Sequence, residues 1–284
     1  MEKRNRVIFT LKNLGTTKAI DVLKEGLTDP SVLLAHEVAY CLGQTRNAHA
    51  VPYLVNTLKN DALHPMVRHE AAEALGAIGG ENAESTLREY LNCSIPEIRD
   101  TCQIAVNLIE WKNVNKDDAD ANASHPVFLS VDPAPPLNES ENVQNLGKVL
   151  LNTDLPLFER YRALFALRNV GTPEAIKFLG EALHQKSSGA VFTHEVAYVL
   201  GQMQDKLATQ ALSDVLADES LNCMVRHEAA EALGSIAEDQ TIDLLKKFTN
   251  DKEEPVSASC VVALDILNYV KSDQFQYADG LTDN

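Results

Sequence analysis

The sequence predicts an all-α protein, an α-solenoid in which pairs of helices stack side by side. Three observations support this: apolar residues recur at spacings of three and four, Gly or Asn interrupts them, and whole segments repeat. Residues 36–44 recur as residues 194–202, and residues 66–78 recur as residues 224–236, each with one substitution. The chain therefore consists of two halves built on one template.

Within each half the pattern repeats at about 33 residues, as the positions of His36 and His69 indicate. Weaker copies open the halves at residues 6–16 and 162–172 and close them at residues 99–109 and 257–267. Each copy is typical of a helical pair, which cannot bury its apolar face without a neighbour. We predict eight helical-pair repeats in two halves of four, related by a pseudo-two-fold axis.

The organisation predicted along the chain is a first half at residues 1–111, a linker at 112–141, a second half at 142–271 and a frayed tail at 272–284. Polar residues and then a Ser-Val-Asp-Pro-Ala-Pro-Pro run interrupt the repeat between the halves. Such a composition indicates a linker with a semi-rigid end, long enough to let one half fold back to face the other.

Composition and charge restrict the function classes. The 284 residues carry 25 Lys and Arg against 41 Asp and Glu, a net charge of −16. This balance disfavours nucleic acid and favours cationic ligands. Five cysteines without a Cys-x-x-Cys motif disfavour a thiolate zinc site. The chain has no apolar run of membrane-spanning length, so we expect no membrane partner. We expect a soluble monomer that is located in the cytoplasm and also in the nucleus.

A His-Glu dipeptide stands at the same position of the two central repeats in each half. The four pairs are His36-Glu37, His69-Glu70, His194-Glu195 and His227-Glu228. The outer repeats carry other residues at that position: Asn5-Arg6, Asp100-Thr101, Tyr161-Arg162 and Ala258-Ser259. If the halves face each other, four imidazoles and four carboxylates converge on one central site.

Imidazole and carboxylate without thiolate suit iron, manganese or zinc, and two His with one carboxylate suit non-haem iron. Adjacent residues on a helix point about 100° apart, so His and Glu of one pair cannot aim identically. One Glu of each half is therefore left for another role. The alternative is that these residues only make hydrogen bonds between repeats, but burying the whole set without a cation would be costly.

Other candidates follow the same register. Gly43 and Gly201 follow the first pair of each half and are candidates for the substrate pocket, although helix termination explains them too. Met66 and Met224 are further pocket candidates, which either line the cavity or only fill it. Tyr40 and Tyr198 lie one turn after their histidines, where they either donate hydrogen bonds to the site or pack in the core.

These motifs together resemble the deoxyhypusine hydroxylase family of HEAT-repeat proteins: His-Glu in the central repeats, Met-Val-Arg-His-Glu-Ala-Ala-Glu-Ala-Leu-Gly twice, and the Ser-Val-Asp-Pro-Ala-Pro-Pro linker. The resemblance implies a monooxygenase with a non-haem di-iron centre and O2 as co-substrate, acting on translation initiation factor 5A that carries deoxyhypusine. It implies iron ligands at His36, His69, Glu70, His194, His227 and Glu228. It assigns Glu37 and Glu195 to the amines of the substrate, or else to the metal.

Two other functions remain open at this stage. A metal-free HEAT-repeat scaffold would bind a basic protein or peptide through its acidic face. A bilin-lyase-like repeat protein would share the short repeat, but it gives no reason for four His-Glu pairs in register. Metal analysis distinguishes both from a hydroxylase.

Overall fold

The computed structural model describes residues 2–115, 128–138 and 141–272, and within them α-helices and short 3-10 turns form all of the regular structure. The all-α prediction is confirmed. None of the helices in this part of the chain combines the length and the apolar character that crossing a bilayer requires. The α-helices are α1 Glu2–Leu14, α2 Thr17–Leu23, α3 Val32–Gln44, α4 Val51–Lys59, α5 Pro65–Ile78, α6 Glu81–Glu89, α7 Pro96–Val114, α8 Val143–Leu151, α9 Leu157–Val170, α10 Pro173–Leu183, α11 Ala190–Met203, α12 Thr209–Ala217, α13 Cys223–Ile236, α14 Ile242–Phe248 and α15 Glu254–Val270.

Local sequence signals set the helix boundaries. Ser31 caps α3 by accepting a hydrogen bond from the backbone N–H of Leu34, and Asn222 caps α13 in the same way through Met224. Proline occupies the first turn of α5, α7, α10 and α15, where its missing N–H has no partner to lose. Turns therefore interrupt the helical pattern at regular intervals along the chain.

The helices form two layers in each half. The inner layer consists of α1, α3, α5 and α7 in the first half and of α9, α11, α13 and α15 in the second. The other helices lie outside, each packed on a neighbouring inner helix. The fifteen helices of the described residues do not make eight complete pairs, because seven outer helices accompany the eight inner ones.

The two halves meet head to tail, as the predicted pseudo-two-fold requires. On one side α15 contacts α1 and α3, and on the other side α7 contacts α9 and α11. Hydrogen bonds join the halves at each meeting point: Ser31 Oγ donates to Glu254 at 2.8 Å, and Asn222 Nδ2 donates to Glu97 at 2.7 Å. The inner helices of both halves thus enclose a common centre.

Glycines near the ends of the central inner helices allow close helix packing. A Cβ on Gly43 would lie 2.8 Å from Ala74, and one on Gly201 would lie 3.0 Å from Ala232. Both glycines lie within their helices, so helix termination does not explain them. The absence of a side chain lets one inner helix approach the next, which keeps the histidines of adjacent repeats close together.

The predicted linker contains an ordered element, which we call the strap (residues 128–138). Val131 pairs with the side chain of Gln44, and Gln202 donates to Ser130 at 2.9 Å. Asp132 forms an ion pair of 2.6 Å with Arg168, whose side chain is 4% exposed. The strap is therefore packed against both halves and is more than a spacer.

Helix α7 continues to Val114, past the predicted boundary at 111. The predicted frayed tail lies outside the described residues except for Ser272.

Candidate metal centre

The four repeated histidines converge at the centre of the molecule. They come from α3, α5, α11 and α13, and neighbouring ring centroids lie 5.1–6.3 Å apart. All four side chains are buried, with at most 6% of any one exposed. The convergence predicted from the duplication is therefore present in the fold.

Ring nitrogens of all four histidines are buried without a hydrogen-bond partner. They are Nε2 of His36, His69 and His227, and both nitrogens of His194. A buried polar atom without a partner is costly, so each of these nitrogens requires an explanation. Imidazole nitrogens with free lone pairs facing one point are what a metal ion needs.

Hydroxyl groups from the last repeat of each half orient two of the rings. Thr101 donates to the backbone carbonyl of Glu97 at 2.8 Å, so its oxygen accepts from His69 Nδ1 at 2.7 Å. Ser259 donates to Glu231 at 2.9 Å and lies 3.4 Å from His227 Nδ1. With the proton on Nδ1, Nε2 keeps its lone pair for the centre. Both hydroxyl residues stand in the outer repeats at the position of the His-Glu pairs, and the sequence alone indicated no role for them.

Glu70 lies between two histidines of the first half. Its Oε2 atom is 3.2 Å from His36 Nε2 and 3.6 Å from His69 Nε2. Neither contact has hydrogen-bond geometry, since both nitrogens remain without a hydrogen-bond partner. The ligand atoms of these three residues lie within 4.8 Å of one another, which is compatible with one shared metal ion.

The second half is arranged less tightly. Glu228 Oε2 lies 3.3 Å from His194 Nε2 and 4.0 Å from His227 Nε2. His36, His194 and His227 also form a compact group with ligand atoms within 4.8 Å. His36 thus belongs to both groups, and the two candidate metal positions are adjacent.

Glu37 and Glu195 occupy equivalent positions but have different partners. His36 Nδ1 donates to Glu37 Oε1 at 3.1 Å, whereas Nδ1 of His194 has no partner and Glu195 makes no such bond. Glu195 is 3% exposed and faces the cavity described next. The two halves are therefore not equivalent at the site.

A cavity of about 460 Å³ opens from His36 and His194 towards α1 and α15. Six glutamates line it: Glu37, Glu70, Glu73, Glu195, Glu228 and Glu231. Glu73 and Glu231 were not predicted as site residues, although both sit one turn after the Glu of their His-Glu pair. Tyr40 and Tyr198 also line the cavity, with their hydroxyl oxygens 2.9 Å apart across the pseudo-two-fold axis.

The other pocket candidates from the sequence lie elsewhere. Met66 and Met224 are each 1% exposed and belong to the hydrophobic core, so their assignment to the pocket was wrong. Gly43 and Gly201 do not contribute to the cavity wall among the described residues, because they lie at the helix contacts described above.

Burial and mutual repulsion shape the charge of the site. Burial lowers the pKa of His69 and His227 well below the usual range, and nearby histidines add to the effect. Burial raises the pKa of Glu228 to about 8, with further contributions from Glu37 and Glu70. The pKa values of Glu73, Glu195 and Glu231 are also raised well above normal. Burial is the larger cause for each of them, and the negative charge of neighbouring carboxylates is the second.

The pKa of His36 follows a different balance. Burial lowers it, but the carboxylates of Glu70 and Glu37 outweigh burial and hold it well above the usual value. An ion or ligand of positive charge would relieve the repulsion among the cavity carboxylates. The donor set of imidazole nitrogen and carboxylate oxygen, with orphaned nitrogens at its centre, fits non-haem iron.

Fold and site together define a HEAT-repeat protein with a histidine–carboxylate centre enclosed between two halves. HEAT repeats match residues 20–107, and the PBS lyase HEAT-like repeat matches residues 159–185 and 225–251. The chain is 47% identical to the deoxyhypusine hydroxylase of Danio rerio over 98% of this chain and 90% of that protein. It is 44% identical to the deoxyhypusine hydroxylase of Candida albicans, again over 98% and 90%.

A solved structure gives the same result in three dimensions. The structure of human deoxyhypusine hydroxylase in complex with glycerol superposes with a TM-score of 0.85 and 46% identity, over 92% of this chain and 88% of that chain. The chain belongs to the deoxyhypusine hydroxylase family.

Proposed function

We propose that this protein hydroxylates the deoxyhypusine residue of translation initiation factor 5A, using two iron ions and O2. One observation carries the proposal: four buried, converging imidazoles each have an unpartnered ring nitrogen beside an acidic cavity. Family membership supplies the chemistry, because the relatives named above are deoxyhypusine hydroxylases.

Six residues are proposed to hold the iron ions: His36, His69 and Glu70 for one, and His194, His227 and Glu228 for the other. Iron bound there supplies the electrons and the position at which dioxygen is activated for insertion into a C–H bond. The hydroxyls of Thr101 and Ser259 keep two of the imidazoles oriented towards the ions.

The remaining cavity residues are proposed to bind and orient the substrate arm. Deoxyhypusine carries two amines on a flexible aliphatic chain, and Glu73, Glu195 and Glu231 offer carboxylates along the cavity. Because these carboxyls have raised pKa values, a cationic amine that enters the cavity shifts them to the ionised form. Charge-assisted hydrogen bonds then fix which carbon of the arm faces the metal centre.

A hydroxylation assay tests the proposal. The full chain, loaded with Fe(II), is incubated with a reductant, isotopically labelled O2 and initiation factor 5A that carries deoxyhypusine. We expect one labelled oxygen atom on the modified residue, detected by mass spectrometry.

Two variants control this assay. His69→Ala should abolish the product, whereas His184→Ala, which removes an exposed imidazole at the end of α10, should leave it unchanged. Binding of the substrate by iron-loaded wild type without oxygen transfer would contradict the proposal and favour a scaffold.

A further inference from the structure

The duplication creates two equivalent gaps between the halves, one between α1 and α15 and one between α9 and α7. Asn5 and Phe9 on α1 correspond to Tyr161 and Phe165 on α9, at the same positions of the two opening repeats. Val262 and Ile266 on α15 correspond in the same way to Ile104 and Leu108 on α7. A substrate arm that approaches the centre therefore has two candidate routes.

The gap between α9 and α7 is filled. Tyr161, Phe165, Ile104 and Leu108 are each at most 3% exposed and belong to one core cluster with Ala134 of the strap. The Tyr161 hydroxyl donates to the carbonyl of Val191 on the adjacent helix α11 at 3.0 Å, which fixes the orientation of the ring. A void of about 10 Å³ beside Pro133 lies next to this gap, between α5, α7 and the strap, and holds no more than about one water molecule.

The gap between α1 and α15 is open to the cavity. Asn5, Phe9, Val262, Ile266 and Tyr269 line it, and Tyr269 is 37% exposed at its outer edge. Asn5 has a short side chain where its counterpart Tyr161 has a phenol ring. No strap residue among residues 128–138 lines this side.

The side chain of Asn5 provides a second indication that a ligand binds in this gap. Its side chain is only 8% exposed, it lines the cavity, and its Oδ1 atom has no hydrogen-bond partner. A buried amide oxygen normally accepts a hydrogen bond, and here the described residues supply no donor. An N–H group of an entering molecule would supply one. The neighbouring Arg6 is paired with Asp265 across the gap at 2.6 Å, so it does not repel a cationic arm as a free guanidinium would.

The geometry points to the gap between α1 and α15 as the entrance for the substrate arm in the described part of the chain, with Asn5 as the residue that keeps it open and accepts a hydrogen bond from the arm. This inference rests on the proposed function for the identity of the arm, a lysine-derived side chain with two amines. The apolar walls formed by Phe9, Val262 and Ile266 suit its methylene groups, and the carboxylates beyond them suit its amines.

Asn5→Tyr tests the entrance by placing the residue of the filled gap into the open one. We expect kcat/KM for the substrate protein to fall about 100-fold, because the arm no longer reaches its productive position. Val7→Tyr is the matched control, since Val7 lies on the same helix, is 47% exposed and does not line the cavity. It should change kcat/KM by less than about twofold.

A second measurement requires neither iron nor turnover. Diethyl pyrocarbonate modifies accessible imidazoles, and mass spectrometry of the metal-free full chain reports the rate at each histidine. In wild type and Val7→Tyr the cavity-lining His194 should react, whereas in Asn5→Tyr it should react at least about 10-fold more slowly, because the reagent then reaches it only through local opening of the fold. The exposed His184 serves as the reference and should react equally in all three proteins.

The two measurements distinguish a failure of the proposed entrance from a failure of the proposed activity. If Asn5→Tyr keeps the wild-type modification rate, or keeps the wild-type kcat/KM, the inference is overturned. If wild type does not hydroxylate at all, the proposed function fails, while histidine modification still decides where the entrance lies. Ile266→Trp, on the opposite wall, should give the same two effects and replaces Asn5→Tyr if that variant does not fold.

Discussion

The orientation of three of the four imidazoles depends on the atom next to the outer nitrogen, Nδ1. Thr101 accepts from His69, Glu37 accepts from His36, and Ser259 lies near His227 at a longer distance. These contacts place the ring proton on Nδ1 and direct Nε2 inwards. Removing such a partner typically weakens a metal site by about 10–100-fold.

Thr101→Val provides the first residue-scale test, because valine keeps the shape and removes the hydrogen bond. We expect Co(II) affinity, measured by titration of the metal-free chain, to fall about 10–100-fold. Thr101→Ser retains the hydroxyl and should retain the affinity. Equal affinity in wild type and the valine variant would show that Thr101 does not orient His69.

Glu195→Gln tests the division of labour among the carboxylates. Glu195 faces the cavity and has no bond to His194, so its loss should affect the amines of the substrate more than the metal. We expect KM to rise about 10-fold, the effect of one charge-assisted hydrogen bond, with unchanged iron content. Iron loss as large as that of Glu70→Gln would instead make Glu195 a metal ligand.

At the scale of helices, the spacing of the inner layer determines whether the histidines meet. A Cβ on Gly234 would lie 2.6 Å from the Cα atom of Ala263, a backbone atom that cannot move alone. A Cβ on Gly180 in α10 would meet Ala211 at 3.8 Å, an ordinary contact. The same substitution therefore has opposite expected effects at the two positions.

Gly234→Ala should lower the free energy of unfolding by about 1–3 kcal/mol through overpacking between α13 and α15. Gly180→Ala should raise it by about 0.5–1 kcal/mol, because alanine favours a helix over glycine. Urea denaturation followed by circular dichroism measures both. Stabilisation by both substitutions would show that α13 and α15 can separate without cost.

The sequence predicted the helices and the central histidines because both depend on local periodicity and register. The roles of Gly43 and Met66 were not predictable, because a pocket residue and a helix-contact residue look alike in one repeat. The contacts of the strap with the two halves were not predicted, for a related reason. Its contacts with Gln44 and Arg168 connect positions far apart in the chain, and composition alone carries no information about them.

For the whole molecule, the strap holds the two halves in register. Arg168 is 4% exposed and its guanidinium lies against Asp132, so loss of that carboxylate leaves a buried positive charge. Asp132→Asn should therefore destabilise the protein by about 3–5 kcal/mol. Glu110→Gln, which breaks an exposed pair with Arg88, should cost no more than about 1 kcal/mol. Equal melting temperatures for the two variants would contradict the role of the strap.

The charge of the cavity predicts how stability depends on pH. The folded, metal-free chain holds protons on Glu228, whose pKa is raised to about 8, and on Glu73 and Glu231, whose pKa values are also raised. The unfolded chain releases those protons at lower pH, so stability falls as pH rises. His69, His194 and His227 have lowered pKa values and are neutral in the folded chain, whereas in the unfolded chain they become neutral only above about pH 7.5. Below that pH they reduce the trend but do not reverse it, because more carboxyls than histidines are involved, Glu195 included.

We therefore expect the melting temperature of the metal-free chain to fall from about pH 6.5 to about pH 8, with the iron-loaded chain much less sensitive because the metal favours ionised carboxylates. Differential scanning calorimetry across that range measures both forms. A melting temperature of the metal-free chain that rises with pH would mean that the cavity carboxyls are ionised in the folded state.

The central claim is that four converging imidazoles and their carboxylates form a centre for two iron ions. Elemental analysis of the full chain, purified from cells grown with ample iron, tests it most directly. We predict two iron ions per chain in wild type and in His184→Ala, and loss of iron in His69→Ala. Wild-type protein that is folded but free of iron, and does not take up Fe(II) under anaerobic conditions, would contradict the claim.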